Sequence, residues 1–136
     1  MKNRGRDCYL HSETVEAIDG HSRVKIKFKA PNDFKGCNEM ERDCAAVAAG
    51  AELLMTTAKR VAGERVTAKI ISMTTELLDQ FQGSQVIGIG SISLMGANIA
   101  FMEGHLMSNG AIFSRLTGSC RMKTDESYDQ SGDRET

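Results

Sequence analysis

The chain has 136 residues and a net charge of −1 at neutral pH, from 17 basic and 18 acidic side chains. This length predicts one domain with a core of its own. The balanced charge, the absence of Trp and the low aromatic content (5%) argue against a nucleic-acid surface built on basic patches or base stacking. No apolar run approaches the ~20 residues of a membrane span.

The four cysteines are Cys8, Cys37, Cys44 and Cys120, and they form no CxxC pair. The sequence therefore predicts no zinc site and no other metal site. The N-terminus, MKNRGRDC, is polar and basic and lacks the apolar stretch of a secretory signal peptide. We expect a cytoplasmic protein with reduced thiols, in which Cys44 is a core residue.

Two strands are predicted after a loose polar arm at residues 1–7. They cover Tyr9–Ile18 and Arg23–Ala30, and the Asp19-Gly20 dipeptide between them is typical of a hairpin turn. The second strand alternates apolar and basic side chains without a fault, which predicts one buried face and one basic solvent face. Attraction of phosphates to that basic face is the alternative interpretation.

One long helix is predicted over residues 38–61. Asn38 is a favourable N-cap, Glu41 completes a capping box, and Gly63 ends the helix. Residues 45–51 are nearly all small, which favours a helix wrapped by a curved sheet. Apolar residues recur at three- and four-residue steps and predict the buried stripe: Met40, Cys44, Val47, Ala51, Leu54, Met55, Ala58 and Val61.

Four more strands are predicted after the helix, at residues 64–78, 85–94, 98–107 and 111–122. Gly88 and Gly90 indicate strong curvature or the close approach of another backbone, and Asn109-Gly110 is a second hairpin signal. Residues 124–136 are almost free of apolar side chains and predict a disordered tail. The order β-β-α-β-β-β-β predicts an α+β fold, in which one antiparallel sheet of about six strands curls around the helix.

Three segments carry a resemblance to a known family. They are the helix entry FKGCNEMERDCAA, the post-helix segment RVTAKIISMTTELLDQFQG and the closing hairpin SISLMGANIAFMEGHLMSNGAIFSRLTGSCRMK. Together they resemble the hotdog-fold acyl-CoA thioesterases of the phenylacetate and 4-hydroxybenzoyl-CoA types. The resemblance covers about residues 8–123 and implies a single hotdog domain. Where the family has a His-Gly-Gly entry to the helix, this chain has Lys35-Gly36-Cys37.

The resemblance implies a catalytic acid on the helix. In the family, a carboxylate in the second helical turn acts as general base or nucleophile at the thioester carbonyl, and such a group gains basicity from partial burial. Asp43 matches this acid, and Glu39, one turn earlier on the same face, is the alternative. Thr67 matches a Ser or Thr that reaches the partner subunit's site.

The resemblance also places the thioester carbonyl at the helix N-terminus, where N–H groups and the helix dipole favour an oxyanion. Gly36 matches the second glycine of the family's entry, so Gly36, Cys37 and Asn38 are the candidate substrate-binding residues. The alternative interpretation assigns no chemistry to this end of the helix. In that case Glu39 caps the helix and Asp43 is a solvated or ion-paired acid.

The implied function is a hydrolase of acyl-CoA or carrier-bound acyl thioesters, with coenzyme A as part of the substrate and no separate cofactor. The missing histidine at the entry motivates a second hypothesis, a non-catalytic hotdog module that binds acyl-CoA or serves a structural role. A third hypothesis is an acyl-thioester dehydratase, which would need a His in the helix region. The three histidines, His11, His21 and His105, lie outside it.

Apolar side chains on both faces of the strands at 85–94 and 98–107 exceed what one helix can cover. A monomer would also leave sheet edges open, which proteins pair or block. We therefore predict a homodimer with two sheets joined edge to edge and the sites at the interface. A second dimer on the outer face of the sheet would complete a homotetramer.

Overall fold

The structure is a computed structural model that describes residues 7–20, 22–63, 66–81 and 83–124. The predicted arm before residue 7, the predicted tail after residue 124 and His21 lie outside these ranges. The elements follow the predicted order: β1 (His11–Ile18), β2 (Arg23–Lys29), α1 (Glu39–Ala62), β3 (Val66–Leu77), β4 (Gln85–Met95), β5 (Ile99–Ser108) and β6 (Ala111–Thr124). A 3-10 turn, Asn32–Gly36, leads into α1. No helix in the described ranges has the length and hydropathy needed to cross a membrane.

One antiparallel sheet contains the six strands in the order β1-β2-β4-β5-β6-β3, so β1 and β3 are its edges. The two predicted hairpin turns are present. Asp19 and Gly20 both have positive φ angles, as do Asn109 and Gly110, which is the backbone that these dipeptides favour. The helix packs against strands β2 to β6 of the sheet. The prediction of one antiparallel sheet curled around one helix is confirmed.

The alternation in β2 sets its two faces. Val24, Ile26 and Phe28 are fully buried against the helix side, whereas the basic residues between them lie on the outer face. Two of these charges have partners on the neighbouring hairpin segment, because Arg23 Nε donates to Asp19 at 2.7 Å and Lys25 lies 4.0 Å from Glu16. The predicted half-buried strand with a basic outer face is confirmed.

The helix begins as predicted, but its buried side shares only Leu54 and Ala58 with the predicted stripe. The buried residues are Ala45, Ala46, Ala49, Gly50, Leu53, Leu54, Thr57 and Ala58. Met40 is 73% exposed, and Val47 and Cys44 are also exposed, so the assignment of Cys44 to the core is wrong. In the N-terminal half of α1 the buried residues are small, which lets the helix backbone approach the sheet, and farther along the helix Leu53 and Leu54 pack against the sheet glycines.

Glycines on the inner face of the sheet make room for the helix. A Cβ atom at Gly90 would overlap Thr57 Oγ1 of the helix, and one at Gly88 would lie 3.2 Å from Leu53 Cδ2. At Gly104 the added atom would lie 2.8 Å from the Ile89 carbonyl oxygen. Gly88 and Gly90 do mark a close approach, but the atoms nearest to them are side chains, among them Leu53 of α1, and not another backbone as predicted.

A disulfide bond joins Cys8 to Cys37, with their Cα atoms 6.0 Å apart. Cys44 and Cys120 are free. The prediction of reduced thiols is therefore wrong for the first pair. The two cysteines are 29 residues apart, and they meet because the segment before β1 lies against the loop before α1. This contact is a property of the fold and leaves no local pattern in the sequence.

Candidate functional site at the N-terminus of the helix

Arg42, in the first turns of α1, holds the loop that enters the helix. Its Nε donates to the carbonyl oxygen of Cys37 at 3.2 Å, and its Nη2 donates to the carbonyl oxygens of Phe34 and Lys35 at 3.2 and 3.4 Å. The guanidinium carbon also lies 5.3 Å from the centroid of the Phe34 ring. A single planar side chain thus satisfies three carbonyl groups of the turn before the helix.

Three buried phenylalanines form the floor beneath this end of the helix. The rings of Phe34 and Phe81 have centroids 5.1 Å apart, and those of Phe81 and Phe113 are also 5.1 Å apart. They belong to the entry loop, to the loop between β3 and β4, and to β6. Their contacts tie three separate parts of the chain together, so the position of the helix N-terminus is set by the aromatic core.

Asp43 lies beside this floor, on the part of α1 nearest the end of β3. It is half-buried, and within the described ranges its carboxylate makes no ion pair and no hydrogen bond. Glu39, the alternative acid, is exposed on the same side of the helix one turn earlier. The cleft at Asp43 is too narrow to hold a water molecule and is lined by Arg42, Asp43, Ala46, Leu77, Asp79, Gln80, Phe81 and Phe113.

Only some of the backbone N–H groups at the helix N-terminus have a hydrogen-bond acceptor in the described residues. The N–H of Cys37 donates within the 3-10 turn at 3.1 Å, and the N–H groups of Asn38 and Glu41 are both bound in the capping box at 2.8 Å. The N–H groups of Glu39 and Met40 meet no acceptor in the part of the chain that the structure describes. A helix cannot satisfy these first donors internally, so they are available to an incoming oxygen.

The predicted substrate-binding residues therefore differ in what they offer. Gly36 and Asn38 are exposed at the entry to the helix. Cys37 is only 6% exposed, its sulfur is bonded to Cys8, and its N–H is occupied. The two donors that remain open, at Glu39 and Met40, lie one and two positions after the N-cap.

Thr67 is not brought to this site within its own chain. It lies at the start of β3, is exposed, and donates through Oγ1 to the Lys123 carbonyl oxygen at 3.3 Å. That point follows the C-terminal end of α1, whereas Asp43 lies near its N-terminal end. A helix of 24 residues spans about 36 Å at 1.5 Å per residue, so most of the length of the helix separates Thr67 from Asp43.

One group of side chains has the spacing of a metal site. Ligand atoms of Cys8, Cys37 and Glu41 lie within 4.8 Å of one another. Both sulfur atoms are already joined to each other, and the Glu41 carboxylate accepts the Asn38 N–H in the capping box. In this state the group does not offer the thiolates that a zinc ion prefers.

A separate groove of about 560 Å³ lies on the face of the sheet opposite the helix. Its charged members are Arg23, Glu76, Glu103 and Arg115, and His105 lies between them on β5. Burial lowers the pKa of His105, and the positive charges of Arg115 and Arg23 lower it further. The groove carries nearly balanced charge and is separated from Asp43 by the thickness of the sheet.

Two members of the site could not be found from the sequence. Arg42 stands among other charged residues, and nothing in its spacing marks the three carbonyl contacts. Phe81 lies between the strands predicted at 64–78 and 85–94, and no pattern there marks it as a core residue. The only hint in the sequence was the low number of Phe residues, five in the chain. Three of these five pack together at this site.

Comparison with known proteins identifies the fold. No family model matches the chain, and no curated protein sequence matches it. A thioesterase from Haemophilus influenzae matches in structure with a TM-score of 0.69 at 10% identity, over 81% of this chain and 77% of the other. A phenylacetic acid degradation-related protein from Ralstonia eutropha gives a TM-score of 0.70 at 14% identity, over 79% and 83%.

A third structure is that of a Bacillus halodurans protein determined with CoA. It matches with a TM-score of 0.65 at 14% identity, over 82% of this chain and 74% of the other. Matches of this extent at such low identity show a shared fold. The chain therefore has the hotdog fold that its sequence resemblance implied.

Proposed function

We propose that this hotdog protein hydrolyses the thioester bond of an acyl-CoA or a carrier-bound acyl group. The observation that carries the proposal is the position of the Asp43 carboxylate. It is half-buried, lacks a partner in the described residues, and follows the two open N–H groups at the positive end of α1. An acyl-transfer site needs such a base or nucleophile next to oxyanion donors.

In the proposed reaction, the thioester carbonyl oxygen accepts hydrogen bonds from the N–H groups of Glu39 and Met40. Asp43, which is half exposed, then takes a proton from a solvent water outside the narrow cleft as that water attacks the carbonyl carbon, or attacks the carbon itself. The carbon–sulfur bond breaks, and the sulfur leaves as the thiol of coenzyme A after it gains a proton. Water supplies the oxygen and hydrogen atoms that complete the free acid and the thiol.

The structural neighbours support this class of reaction. The Haemophilus influenzae protein is a thioesterase, and the Bacillus halodurans structure holds CoA. These proteins share only 10–14% of their residues with this chain, so they do not define the acyl group. We propose the cytoplasm as the compartment, where small thiols are kept reduced.

We further propose that the site is completed by a second copy of the chain, paired along β3. This strand is a sheet edge and carries exposed apolar residues at Ile71 and Leu77, whereas the other edge, β1, exposes mainly polar side chains. Leu77 also lines the cleft at Asp43. Pairing along β3 would bury this apolar edge and bring residues of the partner to the cleft. Thr67 of the partner subunit is the proposed contribution, and a tetramer would add a second dimer on the outer face.

A second candidate function is a non-catalytic module that binds acyl-CoA. The narrowness of the cleft at Asp43 and the absence of a histidine from the sequence that enters the helix favour it. The dehydratase hypothesis gains no support from the described histidines. His11 lies on β1, His105 lies in the outer groove, and neither lines the cleft at Asp43.

A panel of acyl-CoAs with short, long and aromatic acyl groups tests the proposed hydrolysis. Each reaction is followed by a thiol-reactive dye and by mass spectrometry of the free acid. Because Cys44 is exposed and would react with the dye, the Cys44→Ser variant is the assay protein. We expect at least one substrate to give thiol and acid in equal amounts. If no substrate is hydrolysed but calorimetry detects acyl-CoA binding, the binding module replaces the enzyme.

A further inference from the structure

The segment that precedes β1 is fastened to the entrance of the helix. Cys8 is bonded to Cys37, and the N–H of Asp7 donates to the Asp33 carboxylate at 3.3 Å. The Cys37 sulfur also lies 3.9 Å from the Asp7 carbonyl oxygen, and the disulfide is the covalent link between this segment and the loop before α1. The disulfide therefore controls how firmly the first described residues hold the loop before α1.

The two sulfur atoms are placed differently with respect to an attacking thiol. Cys8 is partly exposed, whereas Cys37 is only 6% exposed and directly precedes the N-cap of α1. A small thiolate can therefore reach Cys8, and the sulfur that leaves is that of Cys37. The positive end of a helix favours a thiolate at this place, and a stabilised thiolate leaves faster.

The reverse reaction is also favoured by a neighbouring group. The carboxylate of Glu41 lies within 4.8 Å of both sulfur atoms. Its negative charge opposes a persistent thiolate on Cys37 and so favours closure of the disulfide when an oxidised small thiol is present. The helix end and the carboxylate thus act on the pair in opposite directions, which suits a bond that opens and closes.

We propose that Cys8–Cys37 is a thiol-exchange site at which small thiols release the helix entrance. One thiolate attacks Cys8 Sγ, the Cys8–Cys37 bond breaks, and its electron pair stays on Cys37 Sγ. A second thiolate then attacks the small-molecule sulfur of the mixed disulfide and releases Cys8. Two small thiols are oxidised to their disulfide while the protein gains two thiols.

Because Cys37 lies next to the N-terminus of α1, thiol exchange at the disulfide affects the candidate functional site. Cys37 adjoins Asn38, the cap that holds the first turn of α1, and its carbonyl oxygen accepts from Arg42. Opening the disulfide removes the covalent link between the segment before β1 and the loop next to the open donors of the helix, and so loosens that loop, while Leu10 stays in the core. This consequence for catalysis rests on the proposed function, and there coenzyme A, the thiol product, is itself a reagent for the exchange.

Counting thiols in the full-length protein tests the exchange directly. Samples are quenched in acid, unfolded and alkylated, and the modified cysteines are counted by mass spectrometry. We expect two alkylated cysteines, Cys44 and Cys120, before treatment and four after native incubation with millimolar glutathione or with coenzyme A. A mixed disulfide at Cys8 is expected in brief incubations. Four thiols before treatment, or a disulfide that opens only on unfolding, would overturn the proposal.

Hydrogen exchange tests the structural consequence without any need for catalysis. Reduction of the wild-type protein should increase exchange in residues 32–38, Cys8→Ser should give the same increase, and oxidised glutathione should reverse it in the wild type. The Cys44→Ser variant should match the wild type in both states. If hydrogen exchange in residues 32–38 is the same in the oxidised and reduced proteins, the disulfide does not control the helix entrance and the proposal is overturned. Stoichiometric binding of Zn²⁺ by the reduced protein would also overturn it, since the pair would then be a metal site.

Activity measurements separate this proposal from the proposed function. If the protein hydrolyses a thioester, reduction or Cys8→Ser should change its KM or kcat, while Cys44→Ser should not. If no substrate is hydrolysed, the thiol count and the hydrogen exchange of residues 32–38 still test whether small thiols open the disulfide and loosen the helix entrance. A thioesterase whose rate is the same in both thiol states would contradict the link between the disulfide and the site.

Discussion

The guanidinium group of Arg42 lies over the ring of Phe34 and donates to the carbonyl oxygen of the same residue at 3.2 Å. Phe34 in turn packs on Phe81 in the loop after β3. These contacts connect the first turns of α1 to the loop before it and to the aromatic floor beneath it. The geometry of the helix entrance therefore depends on one arginine side chain.

The first prediction concerns this arginine. Arg42→Ala should lower the free energy of unfolding by about 1–3 kcal/mol, because it leaves three carbonyl groups without their charged donor. Arg42→Lys should recover only part of this loss, since an ammonium group lacks the planar fork. Urea denaturation provides the measurement. Arg121→Ala, at an exposed arginine on β6, is the control and should change stability by less than ~0.5 kcal/mol. Equal effects at both arginines would contradict the role of Arg42.

The second prediction compares one substitution at two buried hydroxyl groups. Thr75 Oγ1 is buried and has no partner among the described residues, whereas Thr57 Oγ1 donates to the Leu53 carbonyl oxygen at 2.7 Å. Thr75→Val should therefore keep or raise the free energy of unfolding, by up to about 1 kcal/mol. Thr57→Val should lower it by about 1 kcal/mol. Thermal unfolding of both variants measures the difference, and a loss at Thr75 would mean that its hydroxyl is in use.

The third prediction concerns stability at acidic pH. Burial, with the positive charges of Arg115 and Arg23, lowers the pKa of His105 in the folded protein, and Glu103 and Glu76 also face this groove. The unfolded chain takes up the proton near its usual pKa of about 6.5 and the folded protein does so only at lower pH. The free energy of unfolding should therefore fall as the pH drops below about 6.5.

The His105→Gln variant should lose this component of the pH dependence. Urea midpoints at about pH 7.5 and about pH 5.5 measure the change, since this interval brackets the usual pKa of histidine. His11→Gln is the control, because His11 lies on β1 outside the groove and contacts Asp7 at 2.6 Å, so this variant should not remove the decline. If His105→Gln declines as steeply as the wild type, His105 does not resist protonation in the folded state.

The fourth prediction concerns assembly along β3. Light scattering should give a mass of at least twice the 14.8 kDa of the chain. Ile71→Lys should reduce the mass to that of the monomer, because it places a charge on the apolar edge that we propose to be paired. Leu94 on β4 is 64% exposed but lies away from this edge, so Leu94→Lys should remain at least dimeric. A wild-type protein of 14.8 kDa would contradict both the dimer and the shared site.

Local sequence signals predicted the elements of the fold well. Asp19-Gly20 and Asn109-Gly110 fixed two hairpins, the alternation of β2 fixed its faces, and Asn38 fixed the start of α1. The buried side of the helix was harder to predict. Periodicity correctly included Leu54 and Ala58, but it also favoured Met40 and Val47, which are exposed. Which residues of the helix are buried depends on the shape of the sheet that packs against it, and the helix sequence alone does not show that shape.

Features of the site that depend on distant contacts could not be predicted. The Cys8–Cys37 bond joins segments 29 residues apart, and the carbonyl contacts of Arg42 require the 3-10 turn to fold back on the helix. The choice of Asp43 as the candidate acid was based on the family resemblance, and its position near the helix N-terminus was predicted from the capping residues. The contribution of Thr67 concerns a second chain and stays a prediction.

The most direct test of the proposed site is the rate of thioester hydrolysis by the Asp43→Asn variant, on the best substrate of the acyl-CoA panel. Asparagine keeps the size of the side chain but cannot accept the proton or attack the carbonyl. We predict a loss of kcat of about 10²–10⁴-fold, with the fold retained by circular dichroism. Glu39→Gln, one helical turn away and exposed, should keep kcat within about threefold, as expected of a group that does not take part in proton transfer. Full activity in Asp43→Asn, or a loss confined to Glu39→Gln, would contradict Asp43 as the catalytic acid–base residue.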